Sequence, residues 1–410
     1  MLKINGKSTE VAKLDLKNRK IVQWMKKYFP SQQGCPMAIR YYLIALLGFF
    51  TCLTNATAAE TDFPKYTFGG FGSLGINHSS MGSGDYVLDS TIPEGSSLTK
   101  NWSTTNDTRI AGHMNAMFTP KVSAVLQIVA EYNAENNYNP EIEWANVKYA
   151  FSPDAYIRVG RIAVPTFMES DNRDVGYTYV WVHPPIELYR QLAITHSDGI
   201  DAMYRFDVGE SVHTVKAILY GENTLERSTS QSDSKDMWGI FDTIEYGATT
   251  AHLSYQERLS ATINSTGVTG PWIRNSDLSV GIKYDPGNWF AMTEWLQRKT
   301  TTKISAMYVS GGYRINKFTP YATYAQNSPG SFLPGFPPPS QSSITRTERA
   351  QSAVSLGIRW DFMKNTDFKF QYDQVQLSDN SNGFLANVPP GVTLYGAKFH
   401  VISAVVDFVF

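Results

Sequence analysis

The chain has 410 residues, 13% of them aromatic, and 36 Lys/Arg balance 37 Asp/Glu. That balance excludes nucleic-acid binding driven by basic charge. Beyond residue 58 no apolar run is long enough for a membrane helix, which excludes a helical membrane protein.

Residues 1–36 are basic and show no strong period. From Met37 the pattern changes: Arg40 forms a positive n-region, 41–53 a short apolar stretch, and Ala56-Thr57-Ala58 a small-x-small cleavage site. The apolar stretch is shorter than the ~18–20 residues of a membrane span. The reading is a presequence over 1–58, with a secretory signal peptide as its core at 37–58, followed by one domain over 59–410. Cys35 and Cys52 both fall in the presequence, so thiol ligands and cysteine catalysis are ruled out after cleavage. Without the presequence, 27 basic residues face 35 acidic ones, a net charge of −8.

Alternation at period two, the mark of a strand with two different environments, then recurs along the chain. The first strand is expected at 66–77, with Phe68, Leu74 and Ile76 on one face. A long polar stretch leads to strands at 108–118 and 122–132, joined by a tight turn at Thr119-Pro120-Lys121. Strands at 142–151 and 156–161 flank Ser152-Pro153-Asp154, with Lys148 and Arg158 facing inward. A long non-alternating insert, about 162–195, precedes strands at 197–206 and 212–220, where Arg205 and Lys216 have inward parity. Strands at 237–246 and 249–257 follow, then 278–284 and 289–298 around Asp285-Pro286-Gly287. Lys283, Arg298 and Arg359 also have inward parity. Strands at 306–314 and 318–325 flank Asn316-Lys317, and 354–360 and 368–375 flank Lys364-Asn365. The closing strand, 398–410, sets Ile402, Ala404, Val406, Phe408 and Phe410 on one face.

Sixteen strands with links alternating long and short predict an all-β fold, a transmembrane antiparallel up-and-down β-barrel. The strands at 237–246 and 306–314 alternate poorly. Tyr and Trp near strand ends (Tyr132, Tyr149, Tyr204, Tyr246, Tyr284, Trp289, Trp360, Tyr372) match interfacial girdles. A soluble sandwich would place polar residues on the outer faces, where these strands carry Tyr, Phe, Trp, Ile and Leu.

The terminal aromatic-x-Phe of Phe408 and Phe410 resembles the assembly signal of Gram-negative outer-membrane barrels. The stretch from Glu143-Trp144-Ala145 through Arg161, and the run from Val175-Gly176-Tyr177 to Pro184-Pro185, resemble sixteen-stranded porins. The resemblance implies an outer-membrane channel, a homotrimer, contact with outer-membrane lipid and lipopolysaccharide, and delivery to the barrel-assembly machinery. It also implies that the insert at 162–195 folds into the lumen as a constriction loop. Glu169, Asp171, Arg173, Asp174 and Tyr177 are then its candidate loop-side residues. Lys148, Arg158, Arg205, Lys216, Lys283, Arg298 and Arg359 are the candidate wall-side residues. Charge at a narrow neck would select among small hydrophilic solutes. A substrate-specific channel for an organic acid, phosphate or sugar is the alternative.

Catalytic chemistry finds little support. Asn77-His78-Ser79-Ser80 resembles the Asn-His-x-Ser element of outer-membrane phospholipases, but it lies at the end of a strand and has only Asn101-Trp102 as a loose partner. Seven His and no mature Cys give no metal-ligand spacing, and no cofactor is expected.

Overall fold

The computed structural model describes residues 63–410, apart from 193, 222, 228–229, 265–266, 268, 329 and 333–348. The expected presequence and most of the Pro-rich loop at 326–350 lie outside the described residues. No helix of the described residues is long and apolar enough to cross a membrane.

The wall begins with β1 (Lys65–Ser79), β2 (Arg109–Met117), β3 (Val122–Glu131), β4 (Glu141–Ser152), β5 (Ala155–Ala163), β6 (His196–Val208) and β7 (Ser211–Tyr220). After the short β8 (Asn223–Arg227) come β9 (Ser230–Tyr246), β10 (Thr249–Asn264), β11 (Ile273–Tyr284), β12 (Trp289–Lys299), β13 (Thr302–Tyr313) and β14 (Phe318–Asn327). The two-residue β15 (Ser331–Phe332) precedes β16 (Gln351–Met363), β17 (Thr366–Leu377) and β18 (Lys398–Val409). Each long strand pairs antiparallel with the next. β1 then pairs with both β2 and β18, Phe71 standing opposite Ala111 on one side and Val409 on the other. Closure leaves no free sheet edge in the wall. Among the described residues, β8 and β15 add only to β9 and β13, so the wall is a closed sixteen-stranded barrel.

Two features depart from the pattern expected from sequence. β8 and β15 are additional. The link between β12 and β13 is only Thr300 and Thr301, because both strands run further than the sequence suggested, so long and short links do not alternate throughout. Thr300 N–H donates to Thr302 O at 2.8 Å to close this turn. The expected tight turns are present elsewhere, and Asn316 and Asn365 take the left-handed conformation there (φ 54° and 59°).

The faces separate as a membrane barrel requires. Phe68 is 76% exposed and Leu219 67%, while the alternating Ser73, Asp201 and Ser403 are buried. Tyr246, Tyr284, Trp289 and Trp360 are exposed beside the tight turns, and the Tyr284 and Trp289 rings lie 5.3 Å apart. Tyr132 is not part of this girdle. It is buried, packs on Tyr138 and donates to Asn136.

The poor alternation at 306–314 now has a cause. Inward-facing Ala306 and Tyr308 join Phe290, Met292, Leu296, Tyr321 and Ala325 in an apolar patch covered by Phe167, Tyr179, Trp181, Leu188, Tyr189 and Leu192. At 237–246, Met237 and Phe241 pack inward against Ile162, Val164 and Ile194. These strands are apolar on both faces because the segment after β5 rests on them.

Candidate functional site

Among its described residues, the segment 164–195 contains two single 3-10 turns, Ser170–Asn172 and Gly176–Thr178, and one helical turn, α1 (Ile186–Tyr189). Pro184 and Pro185 precede α1, where a missing N–H costs nothing. Burying its aromatic and aliphatic side chains contributes roughly 1.5–3 kcal/mol each. Polar anchors fix the register. Glu294 accepts from Met168 N–H (2.8 Å), Tyr189 OH (2.9 Å) and Tyr308 OH (3.0 Å). Trp181 Nε1–H donates to Ser310 and Thr323, each at 3.0 Å.

The second 3-10 turn is held through its main chain. Lys369, fully buried on β17, donates to Gly176 O at 2.6 Å and contacts Asp407 at 2.9 Å. Ser73 of β1 also donates to Asp407. Arg359 donates to Tyr177 O (2.8 Å) and Tyr179 O (3.1 Å) and pairs with Asp367 at 3.0 Å. A Cβ at position 176 would stand 2.1 Å from Asp407 Oδ1, so any other residue there must displace the buried Asp407 carboxylate.

Several loop-side and wall-side candidates meet. Asp171 pairs with Lys216 at 2.8 Å; burial opposes its charge, but that ammonium holds the Asp171 carboxyl below its ordinary value. Glu169 is pushed upward by burial, with Lys283 opposing. The Tyr177 ring lies 4.8 Å from the Arg359 guanidinium. The remaining candidates have other contacts. Arg158 grips Asp201, Arg298 stands 3.6 Å from Asp277, and Lys283 is 3.7 Å from Asp285. Lys148 lies 5.6 Å from the Tyr156 ring, and Arg205 is exposed with its backbone N–H on Asp154 O. Phe408 and Phe410 face outward, their rings over Gly72 and Gly70 of β1.

Asp174 meets none of the expected wall residues. It pairs with Arg109 of β2 at 3.1 Å, while Arg173 reaches Asp89 at 3.4 Å. Burial, then the Glu143 carboxylate, pushes Asp174 above its ordinary value. These residues line a cavity of about 430 Å³ between the segment and the inner faces of β2, β3, β4 and β6. Glu131, Glu143 and His196 complete its wall, with His196 2.9 Å from Glu143. Arg109, Glu131 and Glu143 were missed from sequence. Arg109 shares parity with inward Ala111, but it sits where a long polar loop meets its strand, away from the mid-strand bases.

The Asn-His-x-Ser residues take separate partners. His78 Nδ1 lies 2.6 Å from Asn101 O and its ring 5.0 Å from Trp102. Ser80 Oγ accepts from His400 N–H at 3.0 Å.

Together the closed wall and its polar interior define a porin-like β-barrel. No family model and no curated protein matches the chain. Solved structures do resemble it in fold. An anion-selective porin from Comamonas acidovorans is 11% identical, with 85% of this chain and 100% of that one covered at a TM-score of 0.55. The outer membrane channel DcaP of Acinetobacter baumannii is 11% identical over 87% and 100%, at 0.52. In vitro folded OmpT, a Vibrio cholerae outer membrane protein described in a trimer form, is 10% identical over 85% and 100%, at 0.52.

Proposed function

We propose that the chain is an outer-membrane diffusion channel, a porin for ions and small hydrophilic solutes, narrowed by the segment at 162–195. The observation that carries this reading is a charged cavity left open between that segment and one half of a closed wall whose outer face is apolar. A lipid-facing exterior and a hydrated interior are what passive permeation needs. The segment is anchored over β9, β10, β12–β14 and β16–β18, so solutes pass on the β2–β6 side, where Arg173 and Asp174 face Arg109 and Glu131. Asp171 with Lys216 of β7, and Glu169 near Lys283 of β11, add further charge to the neck outside that cavity's lining. The barrel is assigned to the outer membrane after export through the signal peptide at 37–58, with 59–410 as the mature domain. Phe408 and Phe410 serve as its assembly signal. A homotrimer fits the small outward residues Gly70 and Gly112, which stand opposite each other on β1 and β2, and the trimer form described for the Vibrio cholerae protein.

Liposome swelling tests this reading. Proteoliposomes should admit sugars up to a size limit, and a variant lacking 167–191 should raise that limit. Liposomes that stay sealed to the smallest sugar would contradict it.

A further inference from the structure

The cavity between segment 164–195 and the β2–β6 wall is not electrically balanced. Its lining holds six carboxylates, on Asp89, Glu131, Glu135, Glu141, Glu143 and Asp174, against three guanidinium groups, on Arg109, Arg173 and Arg190. Exposure sharpens the imbalance. Arg190 is buried and donates to Val87 O and Phe384 O, both at 2.7 Å. Arg109 and Arg173 have side chains only 14% and 20% exposed and are already paired. Asp174 and Glu143 are likewise occupied, by Arg109 and His196. The Glu131 side chain is 51% exposed and meets Arg109 only at 3.7 Å. Glu135 and Glu141, on the adjoining loop and β4, are also exposed and, among the described residues, accept from the asparagine amides of Asn137 and Asn133. A solute in the cavity therefore meets exposed carboxylates, while the cations are turned to protein partners. In a confined passage such fixed charge raises the local concentration of opposite charge.

Resting on the channel reading above, we infer that Glu131 is the specificity-determining residue of the passage, and that it favours cations and ammonium-bearing solutes over anions. Glu131 stands on the wall where the cavity is flanked by the Arg173–Asp174 turn. Arg109, opposite Glu131 on the neighbouring strand, stands closer to Asp174 (3.1 Å) than to Glu131 (3.7 Å), so Glu131 supplies the more exposed charge there.

The test is the reversal potential of single channels of the full-length protein in a planar bilayer under a KCl gradient at pH 8. The wild type should prefer potassium over chloride. Glu131→Gln should lower that permeability ratio by roughly two- to fivefold, as expected for one unit charge removed from a hydrated neck. Glu131→Asp should keep the preference, which separates charge from misfolding. Glu257→Gln, the same charge change on the outward face where Glu257 pairs with Arg274, should change nothing. Chloride preference in the wild type, or an unchanged ratio in Glu131→Gln, overturns the assignment while leaving the channel intact. Absence of any conductance overturns the channel reading itself.

Discussion

At the scale of single residues, the loop is held by contacts with little tolerance. Gly176 lies against Asp407 so closely that any side chain displaces one of them. Gly176→Val should release the turn at 176–178 at a cost of about 1–3 kcal/mol. Hydrogen exchange should quicken across 170–182 and stay unchanged in β9–β11. Glu187 offers a pH test. Burial in α1 pushes its carboxyl from the ordinary 4.5 to about 7, and Gln351 donates to it at 2.7 Å. The docked loop therefore binds the proton more tightly than the undocked loop. The contribution of this group is full below about pH 4.5 and is lost as pH rises through about 7. Exchange protection of 182–192, corrected for the intrinsic pH effect, should fall over that range in the wild type. In Glu187→Gln the fall should be absent.

At the scale of elements, the loop and the wall explain each other. Lys369 is enclosed by Asp407, Asp367 and Gly176 O. Lys369→Met would leave the buried Asp407 carboxylate without its cation, Asp367 keeping Arg359 at 3.0 Å, and removing one partner of such a cluster costs roughly 3–5 kcal/mol. The expected result is a lower denaturant midpoint, together with faster exchange at 175–180. A midpoint equal to wild type would show that the cluster does not bear on loop docking.

The strands were legible in the sequence because lipid on one side and a polar interior on the other impose strict alternation, as at Phe68, Leu74 and Ile76. Alternation blurred at Ala306, Tyr308 and Phe241, where the inner face is covered by the loop and is therefore apolar too. β8 and β15 add to single strands outside the closed wall and were not foreseen. The loop's charged residues were visible as a group, but their partners were not. Which base meets Asp174 depends on how 32 residues between β5 and β6 fold back over the wall, and strand parity says nothing about that.

At the scale of the whole molecule, the interior is divided. One half of the wall, β12–β14 and β16–β18, supports the segment through apolar contact and buried charge. The other half, β2–β6, stays lined with ionisable groups around the cavity. Closure of β1 on β18 also completes the loop's anchor, because Ser73 and Asp407 come from opposite sides of that seam. The most direct test of the account is single-channel conductance in a planar bilayer, comparing wild type with a variant lacking 167–191. The account predicts stable open channels for the wild type and a larger unit conductance for the variant. A silent wild type, or a variant whose unit conductance equals the wild type's, would contradict it.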